Sequence, residues 1–449
     1  MASLPNNKSD HQLNADYLLQ QLGKLAKEKN IKTWCLAYSG GVDSQVLLHL
    51  LHLTKLNVSA VYIDHGLQAQ SSDWARHCEA QCKNLNIPFQ LIKVNAAAAK
   101  GESPEAAART ARYAAFKELI QKSDCLLTAQ HQDDQSETIF LQLLRGAGAA
   151  GLAGMPEIAT FSNGWHARPL LDISQNVILD YANQNALSWV EDPSNQQVNY
   201  DRNYLRHSVM PQLQQRWPAL NKTLSVFSQQ QAENAELLEV LAEKDLSSSL
   251  LEDTCLDINQ LNKIENARLR NVLRFWFKNL QKPIPSRAVL EQIVQQINNT
   301  SHDSHVLINW ANVEVRRFRD KLFCLKKISH DASQVYNWNV KNELELLTLD
   351  KKLKLEKCET SDDIKFVLNE SLLTQDVTVR FRQGGEKIKP AGRNGSHDLK
   401  SLFQESSVPT WQRDRIPLLF VEGELVAVVG YWIADNFSVK GEGVLPDLI

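Results

Sequence analysis

A glycine turn between a short apolar stretch and a helical one is the first feature of this sequence that points to chemistry. It lies in AYSGGVDSQVLLHLL, from Ala37 to Leu51, and consists of Ser39, Gly40, Gly41, Val42, Asp43 and Ser44. Glycine permits positive φ and a close approach of backbone to ligand, and the N–H groups that begin a helix favour anions. We therefore predict a phosphate site, although two glycines alone also suit a tight strand-to-helix turn capped by Ser44.

The kind of phosphate follows from a residue that the turn lacks. A Walker A loop places a lysine on the phosphates, whereas here Ser44 is followed by Gln45 and no such lysine is present. The turn is thus expected to hold a pyrophosphate group rather than a terminal phosphoryl group in transfer.

A second group of chemically useful residues follows CLLTAQ, from Cys125 to Gln130. It comprises His131, Asp133, Asp134 and Glu137, and the spacing of three places His131, Asp134 and Glu137 on neighbouring positions of a helix start. Such a cluster can hold Mg²⁺, bind an amine or take a proton from one. The alternative is a helix N-terminus enriched in acids for dipole reasons, with His131 as a loop residue.

Two further sets of polar residues belong to the same region of the chain. Asp64 and His65 directly follow the apolar run VSAVYI, and Arg109 and Arg112 recur three apart on a predicted helix after Pro104. The arginines are expected to face a phosphate-containing pocket. Surface salt bridging of an arginine to Glu105 is the competing interpretation.

The elements that must position these residues alternate between strand and helix. Four short apolar segments predict buried strands: IKTWCLAY, VSAVYID, FQLIKV and CLLTAQ. Helical segments separate them, which predicts an α/β domain with a parallel, Rossmann-like sheet covered on both faces. In such sheets, ligands bind beyond the carboxyl ends of the strands, where all the residues above fall. The glycine-rich segment from Arg145 to Pro156 predicts a mobile or close-packed loop.

The length of 449 residues predicts more than one domain. We predict a catalytic domain at residues 1–217, a helical basic domain at 218–340 and a mostly β or α+β domain at 341–449. In the middle domain, Leu269, Val272, Leu273, Trp276 and Leu280 form the apolar face of a helix.

Basic residues are concentrated outside the first domain, although the net charge is only −3. Arg270, Arg274 and Lys278 recur every four residues opposite the apolar face, and further basic runs lie at 316–327 and 380–400. These stripes predict contacts with a nucleic-acid backbone, or else a solvated basic face. Trp411 is expected to be a core residue rather than a platform for a base.

Composition excludes several classes. The seven cysteines include no CxxC pair, which predicts reduced thiols rather than zinc or a cluster. No apolar run reaches the roughly 18 residues of a membrane span, and no export signal is visible. A cytoplasmic protein is expected.

The motifs resemble a known family when they are taken in order. SGGVDS, IDHGL, PEAAARTARY, HQDDQSET and RGAGAAGLAGM are similar to the PP-loop ATP pyrophosphatase superfamily and, within it, to tRNA(Ile)-lysidine synthases. RPLL, EDPSN and DRNYLR extend the resemblance to Arg206, and FRQGGEKIKPAGR and LKSLFQESSVPTWQRDRIPLLF resemble the family's C-terminal domain. The departure is at IDHGLQAQS, where a basic residue is expected near Gln68.

The resemblance implies a two-step reaction. ATP adenylates the C2 carbonyl of the wobble cytidine in a CAU anticodon of tRNA(Ile), pyrophosphate leaves, and the ε-amine of free lysine displaces AMP to give lysidine. The residues from Ser39 to Ser44 would hold ATP, Asp43 and Asp133 would hold Mg²⁺, and Asp64 and His65 would lie near the nucleoside. Arg109 or Arg112 would stabilise charge on the phosphates or the base. The resemblance also allows a homodimer.

The remaining residues of the site would serve the second step. Asp134 and Glu137 would bind lysine and, with His131, help to deprotonate its amine. Three rival interpretations remain. A tRNA thiolase would need reactive cysteines, for which Cys78 and Cys82 are the sole close pair; an amidotransferase-type synthetase would need a glutaminase domain; a non-catalytic tRNA adaptor would show gaps in the site.

Overall fold

The computed structural model describes residues 12–66, 70–97, 104–193, 197–299, 307–361, 364–370 and 377–449. Gln68, near which a basic residue was expected, and the side chain of Glu105 lie outside the described part. The chain divides into two compact units, Met1–Val240 and Leu241–Ile449. The proposed domain boundaries after residues 217 and 340 stay predictions.

The first unit is built on a six-stranded sheet. Its order is β3-β2-β1-β4-β6-β5, in which β1 to β4 and β6 are parallel and β5 forms an antiparallel hairpin with β6. The strands are β1 (Thr33–Ala37), β2 (Val58–Asp64), β3 (Phe89–Lys93), β4 (Asp124–Leu127), β5 (Ile158–Phe161) and β6 (Gly164–Ala167). The four predicted strands and their parallel arrangement are confirmed. The hairpin of β5 and β6 was not predicted.

Helices surround this sheet. They are α1 (Ala15–Lys29), α2 (Val42–Thr54), α3 (Ser71–Asn84), α4 (Pro104–Leu119), α5 (Gln132–Leu144), α6 (Ala149–Leu152), α7 (Gln175–Gln184), α8 (Asp201–Tyr204), α9 (Met210–Arg216) and α10 (Leu220–Ser249). A π-helical turn, Leu205–Val209, joins α8 to α9.

Two apolar clusters hold these layers together. Leu18, Leu22 and Leu25 of α1 pack with most of α2 against β1 in the larger cluster. Phe116 of α4 packs with Val61 and other strand residues in the smaller one. Because Val46, Leu47, Leu48, Leu50 and Leu51 are all buried, α2 is apolar on nearly every side. Its first turn is thereby fixed at the end of β1.

The glycine-rich segment from Arg145 to Pro156 is exposed at its start, at Gly146 and Gly148, and packed near its end, at Gly154. It contains the short helix α6, and Gly154 has φ +65°, with the position of an added Cβ only 2.7 Å from Gln135 Oε1. Gln135 in turn accepts from Met155 N at 2.8 Å and donates to Met155 O at 3.0 Å. This loop is therefore fastened to the helix that carries the acidic cluster.

The second unit begins with helices and a sheet. The helices are α11 (Ile258–Leu261), α12 (Asn266–Asn279) and α13 (Arg287–Asn298), and the sheet has the order β7-β8-β11-β10-β9. Its strands are β7 (Leu250–Glu252), β8 (Cys255–Asp257), β9 (Leu307–Trp310), β10 (Val313–Phe318) and β11 (Lys321–Lys326). The helix predicted from the apolar face at Leu269 to Leu280 is confirmed as α12, whereas the sheet against which it packs was not predicted.

The remainder of the second unit is mostly β, as predicted. Two five-stranded sheets have the orders β12-β16-β19-β20-β21 and β13-β14-β23-β15-β22, and β17 pairs with β18. The strands are β12 (Tyr336–Trp338), β13 (Leu344–Leu346), β14 (Lys351–Glu359), β15 (Val367–Leu368), β16 (Val377–Arg380), β17 (Lys387–Ile388), β18 (His397–Asp398), β19 (Leu418–Val421), β20 (Glu424–Val428), β21 (Trp432–Ile433), β22 (Ser438–Val439) and β23 (Glu442–Leu448). Helices α14 (Leu399–Glu405) and α15 (Thr410–Arg413) complete it. Because β12 pairs with β16, these sheets begin before residue 341.

Within the residues that the structure describes, no helix combines the length and apolarity needed to cross a membrane.

Candidate active site

The glycine turn lies at the point where the strand order of the first sheet reverses. β1 has β2 on one side and β4 on the other, so the loops that follow these strands diverge and leave a crevice. This crevice forms a cavity of about 380 Å³. The residues that line it include Ser39, Gly41, Asp43 and Ser44 from the turn, together with His65, Arg112, Thr128, Gln130 and Asp134. The structure thus brings residues from four separate segments to one cavity.

The backbone of the turn suits an anion. Gly40 has φ +80°, and an added Cβ would lie 2.8 Å from Cys78 Sγ, so no other residue fits there without a shift. Gly41 is the N-cap of α2, and no side chain caps this helix end. Ser44 instead bonds back to Gly41 O at 3.0 Å and approaches Ser39 Oγ at 3.1 Å. The first amides of α2 are therefore left for a ligand.

His131 occupies the centre of the acidic cluster. It is 1% exposed, forms the N-cap of α5, and lies 3.8 Å from Asp43, 3.7 Å from Asp133 and 3.5 Å from Asp134. Burial alone would lower the pKa of His131, but the hydrogen bond to Asp133 and the charges of Asp134 and Asp43 outweigh it and raise the pKa to about 9. His131 Nδ1 also accepts from Asp133 N at 3.3 Å, and the predicted part of His131 in deprotonating an amine stays a prediction.

Asp43 is the carboxylate best suited to a metal ion. Burial raises the pKa of Asp43, partly offset by His131, and its Oδ1 is buried without a hydrogen-bond partner among the residues that the structure describes. Mg²⁺ is commonly bound by one or two carboxylates plus substrate phosphates, and a cation beside the phosphate turn would satisfy this oxygen. Asp43 therefore fits a magnesium ion.

Asp133 fits a magnesium ion poorly, contrary to the prediction. Its Oδ2 accepts from Gln175 N at 2.9 Å, and its Oδ1 accepts from Asn221 at 2.7 Å and Gln214 at 3.4 Å. Burial opposes ionisation, but the hydrogen bonds from His131 and Gln175 lower the pKa of Asp133 to about 2. Because both oxygens are engaged, we assign Asp133 to holding helix ends together.

Two arginines that the sequence did not single out complete the cluster. Arg202 donates to Glu137 Oε2 at 2.8 Å and Asp134 Oδ1 at 2.9 Å, and Arg206 donates to Glu137 Oε1 at 2.6 Å and to Asp134 Oδ1 at 2.9 Å. Glu137 is only 2% exposed. The signal was present in DRNYLR, since two arginines four apart share a helix face that two acids can neutralise.

The remaining predicted residues separate into two groups. His65 and Arg112 line the cavity, whereas Asp64 accepts from Gly66 N at 2.9 Å and so shapes the loop that carries His65. Arg109 is not among the cavity-lining residues and stacks on the Tyr113 ring at 4.8 Å. Of the two arginines, Arg112 is therefore the one placed to meet a bound nucleotide.

The cysteines offer no reactive thiol to this cavity. Cys78 and Cys82 are fully buried in α3, and burial, with the neighbouring thiol adding to it at Cys78, raises the pKa of each to about 12. Both are packed core residues, as expected. A sulfur-transfer reaction that relies on this pair is thereby disfavoured.

The basic helix of the second unit is α12. Arg268 pairs with Asp245 and Arg270 with Glu291 at 3.4 Å, so these two are partly neutralised. Partial burial of the guanidinium and the charges of Arg270 and Arg287 lower the pKa of Arg274, and Glu291 partly offsets them. A cationic side chain held near like charges favours an incoming anion such as a phosphate.

The basic run at 316–327 forms the hairpin of β10 and β11 rather than a helix. Arg316 stacks on the Trp411 ring at 5.4 Å, and Trp411 packs edge-on against Phe318 and Phe323 at 6.0 and 5.5 Å. Trp411 thus packs within the second unit, in keeping with the predicted core role.

The fold and the cavity define the class: an α/β nucleotide-binding unit of the PP-loop type. The model of the PP-loop domain matches residues 15–213, that of the TilS substrate binding domain residues 256–323 and that of the TilS substrate C-terminal domain residues 377–445. The tRNA(Ile)-lysidine synthase of Coxiella burnetii is 41% identical over 95% of this chain and 94% of its own length. That of Methylococcus capsulatus is 37% identical over 92% and 94%. The chain belongs to the tRNA(Ile)-lysidine synthase family.

Proposed function

We propose that this protein is an ATP-dependent ligase that joins free lysine to the wobble cytidine of a tRNA(Ile) with a CAU anticodon. The observation that carries the proposal is the uncapped α2 N-terminus facing a cavity beside the unpartnered Asp43 oxygen. A polyphosphate would bind at the helix N-terminus, and the cation that accompanies it would bind the Asp43 oxygen. The family membership supplies the identity of the other two substrates.

In the first step, the C2 oxygen of cytidine attacks the α-phosphorus of ATP and the bond to pyrophosphate breaks. The turn from Gly40 to Ser44 is suited to hold the departing pyrophosphate, because it begins α2 without a side-chain cap and helix N-termini favour anions. Arg112, on the cavity wall, is placed to stabilise charge on the phosphates or on the base. A magnesium ion at Asp43 would neutralise the leaving group.

In the second step, the ε-ammonium of lysine first loses a proton, the resulting amine attacks C2, the C–O bond to AMP breaks, and a second proton passes from the nitrogen to solvent. Asp134 and Glu137 are the carboxylates that would hold the ammonium and receive the first of these protons. Both are paired with Arg202 and Arg206 in this structure. We propose that the incoming ammonium replaces one of these guanidinium contacts, so the acids change partner and stay compensated.

The tRNA also needs contacts outside the catalytic unit. We assign phosphate binding to α12, with Arg274 as its best-placed cation. The pairs that Arg268 and Arg270 of α12 form with Asp245 and Glu291 suggest a moderate salt dependence. A cytoplasmic location, which the tRNA substrate favours, and a homodimer belong to the proposal as well.

The test is incorporation of labelled lysine into a tRNA(Ile) transcript with a CAU anticodon, with and without ATP and Mg²⁺. Strictly ATP-dependent incorporation is expected, and a transcript with a GAU anticodon is the matched control. Release of AMP without lysine incorporation would overturn the second step and leave the adenylation step standing. Incorporation without ATP would overturn the whole proposal.

A further inference from the structure

A row of four polar side chains runs behind one wall of the nucleotide cavity. Arg168 Nη2 lies 3.2 Å from His166 Nδ1, His166 Nε2 lies 2.8 Å from Thr128 Oγ1, and Thr128 Oγ1 is hydrogen-bonded to Gln130 Oε1. His166 is 3% exposed, whereas Thr128 and Gln130 line the cavity. The row therefore starts at the half-buried Arg168, passes through the buried His166 and ends at the ligand space.

Arg168, at one end of the row, determines which group donates and which accepts in every hydrogen bond along it. A guanidinium only donates, so His166 Nδ1 must accept from Arg168 and the ring proton must reside on Nε2. His166 Nε2–H then donates to Thr128, and the single hydroxyl proton of Thr128 goes to Gln130 Oε1. The opposite orientation would place two donors face to face at Arg168 and His166. Gln130 is therefore left with its NH₂ group free to donate.

The electrostatic surroundings agree with a neutral ring at His166. Burial, and then the positive charges of Arg168 and Arg109, lower the pKa of His166 to about 3. The ring also packs against Tyr113 at 6.1 Å and Phe161 at 5.7 Å. Packing and charge together hold the tautomer on which the direction depends.

Gln130 has an unused donor at the cavity. Among the described residues, Gln130 Nε2 donates to no protein acceptor, while its Oε1 is held by Thr128. An amide held at one end presents the other end in a defined orientation, which is what discrimination between an acceptor and a donor on a ligand requires. Tyr113, which packs on His166, also lines this wall, whereas the phosphate turn supplies a different part of the lining. An aromatic wall with one amide donor suits a nucleobase rather than a phosphate.

We propose that Gln130 is a specificity-determining residue that donates a hydrogen bond to a ring nitrogen or carbonyl acceptor of a bound nucleobase, with His166 and Arg168 as positioning residues that fix its orientation. The inference rests on the proposed function to the extent that the cavity binds nucleotide substrates. Adenine of ATP and cytosine of the tRNA both offer such acceptors. The two sources are separated by measurement.

The principal variant is Gln130→Glu, which keeps the shape and the bond from Thr128 but presents an acceptor where the donor stood. Gln184→Glu, on the exposed end of α7, makes the same charge change as the matched control. ATP binding is measured by titration without tRNA, tRNA binding is measured without ATP, and KM for each substrate is measured in the complete reaction. We expect Gln130→Glu to weaken one of the two substrates by roughly 10- to 100-fold with a smaller change in kcat.

The outcome identifies the base. If KM and the dissociation constant rise for ATP alone, the contact is with adenine. The ring acceptor is then identified with 1-, 3- and 7-deaza-ATP. The analogue that lacks this acceptor should bind Gln130→Glu and the native enzyme with equal affinity. A rise confined to tRNA assigns it to cytosine, and 3-deazacytidine at the wobble position takes the place of the deaza-ATP series. Equal weakening of both substrates, loss of kcat alone, or changes below twofold would overturn the proposal.

The positioning role has its own readout. Thr128→Val removes the hydrogen bonds that join His166 to Gln130 and should weaken binding of the same substrate about three- to tenfold. In the double variant with Gln130→Glu, the affinity should fall little further, because both residues act through one contact. His166→Gln retains a donor near Nε2 and should keep more affinity than His166→Leu. If Thr128→Val and Gln130→Glu affect different substrates, the row does not orient Gln130.

The result is independent of lysine transfer. If the native protein binds ATP with the Gln130 dependence described but incorporates no lysine, the proposed function fails and this inference stands. If lysine is incorporated normally by Gln130→Glu with unchanged KM values, the inference fails and the proposed function stands.

Discussion

Arg206 holds Glu137 through two hydrogen bonds, from Nε to Oε1 at 2.6 Å and from Nη2 to Oε2 at 2.9 Å. The carboxylate is buried and the guanidinium is partly exposed. Burial by itself would lower the pKa of Arg206, but the hydrogen bond to Glu137 and the charges of Glu137 and Asp134 raise it. Glu137, which is proposed to bind the lysine amine, is therefore paired with the Arg206 guanidinium in this structure.

Glu137→Gln is expected to separate the two half-reactions. Lysine transfer should fall roughly 100-fold, since the carboxylate that receives the amine proton is lost, while pyrophosphate release from ATP with tRNA changes far less. Stability should fall by about 3 kcal/mol, because two guanidinium groups then share one carboxylate. The checks are labelled-lysine incorporation, pyrophosphate release without lysine, and urea unfolding.

The control for this variant is Glu28→Gln on the exposed face of α1, which should change neither step. Equal losses in both half-reactions of Glu137→Gln would move Glu137 into the adenylation step and contradict the assignment.

Asp43→Asn and Asp133→Asn should differ in their magnesium requirement. The Asp43 oxygen without a partner is the proposed contact, so Asp43→Asn should raise the Mg²⁺ concentration for half-maximal activity about tenfold or more. Asp133→Asn should leave that concentration nearly unchanged and lower stability by about 1–3 kcal/mol through its bonds to Gln175 and Asn221. The measurement is the activity of both variants over a series of Mg²⁺ concentrations. A higher Mg²⁺ requirement in Asp133→Asn alone would assign the magnesium contact to Asp133 instead of Asp43.

Gly40→Ala should abolish tight ATP binding. The added methyl would meet Cys78 Sγ at 2.8 Å, and a φ of +80° strains any L side chain, so a cost of more than about 1 kcal/mol in stability is expected as well. Gly23→Ala in α1, where nothing lies within 4 Å, is the matched substitution and should stabilise by up to about 1 kcal/mol. Combining Gly40→Ala with Cys78→Ala should relieve the clash but not the strain. Full ATP affinity in Gly40→Ala would show that the turn does not hold the phosphates.

His131 should make the metal-free protein less stable at alkaline pH. Its pKa of about 9 in the folded state exceeds the unfolded value of roughly 6.5. The stabilisation is therefore fully present below the unfolded value and is lost as pH rises through about 9. The loss is on the order of 3 kcal/mol. Urea unfolding in EDTA from pH 6 to 10 should show this decline, and His131→Asn should lack it; an equal decline in both proteins would place its origin elsewhere.

Arg274→Ala should weaken tRNA binding without changing the reaction of bound tRNA. If Arg274 contacts one phosphate, the slope of log affinity against log salt should fall in magnitude by about 1. Lys24→Ala on α1, also exposed, should leave the slope unchanged. The measurement is tRNA binding over a salt series, and an unchanged slope for Arg274→Ala would remove α12 from the proposed tRNA surface.

The sequence predicted what local patterns encode. β1 to β4 are short apolar runs between helices, and SGGVDS carries its geometry in two glycines, so both could be recognised within ten residues. DRNYLR shows that Arg202 and Arg206 share a helix face. It does not show that Asp134 and Glu137 are their partners, because these acids lie 65 to 72 residues earlier in the chain. The sheet beneath α12 was missed for a related reason: β7 and β8 have three residues each, too few for alternation to show.

The surroundings of His131 were only partly evident from its own segment. Its position beside Asp133 and Asp134 could be recognised, but Asp43, which also lies close to it, belongs to the loop after another strand. The hydrogen bond to Asp133 and the charges of Asp134 and Asp43 together raise the pKa of His131, and the local sequence shows only the first two of these acids.

The bonds of Asp133 determine when the site can first exist during synthesis of the chain. Asn221, 88 residues beyond Asp133, supplies one of them, and Gln175 supplies another. When β1 to β4 of a nascent chain have emerged from the ribosome, the residues of the phosphate turn have emerged as well. Asp133 and Glu137 would still lack the partners that lie later in the chain. The anion-binding half of the site is thus available early, and the half proposed for lysine is completed only after α10 has begun to emerge.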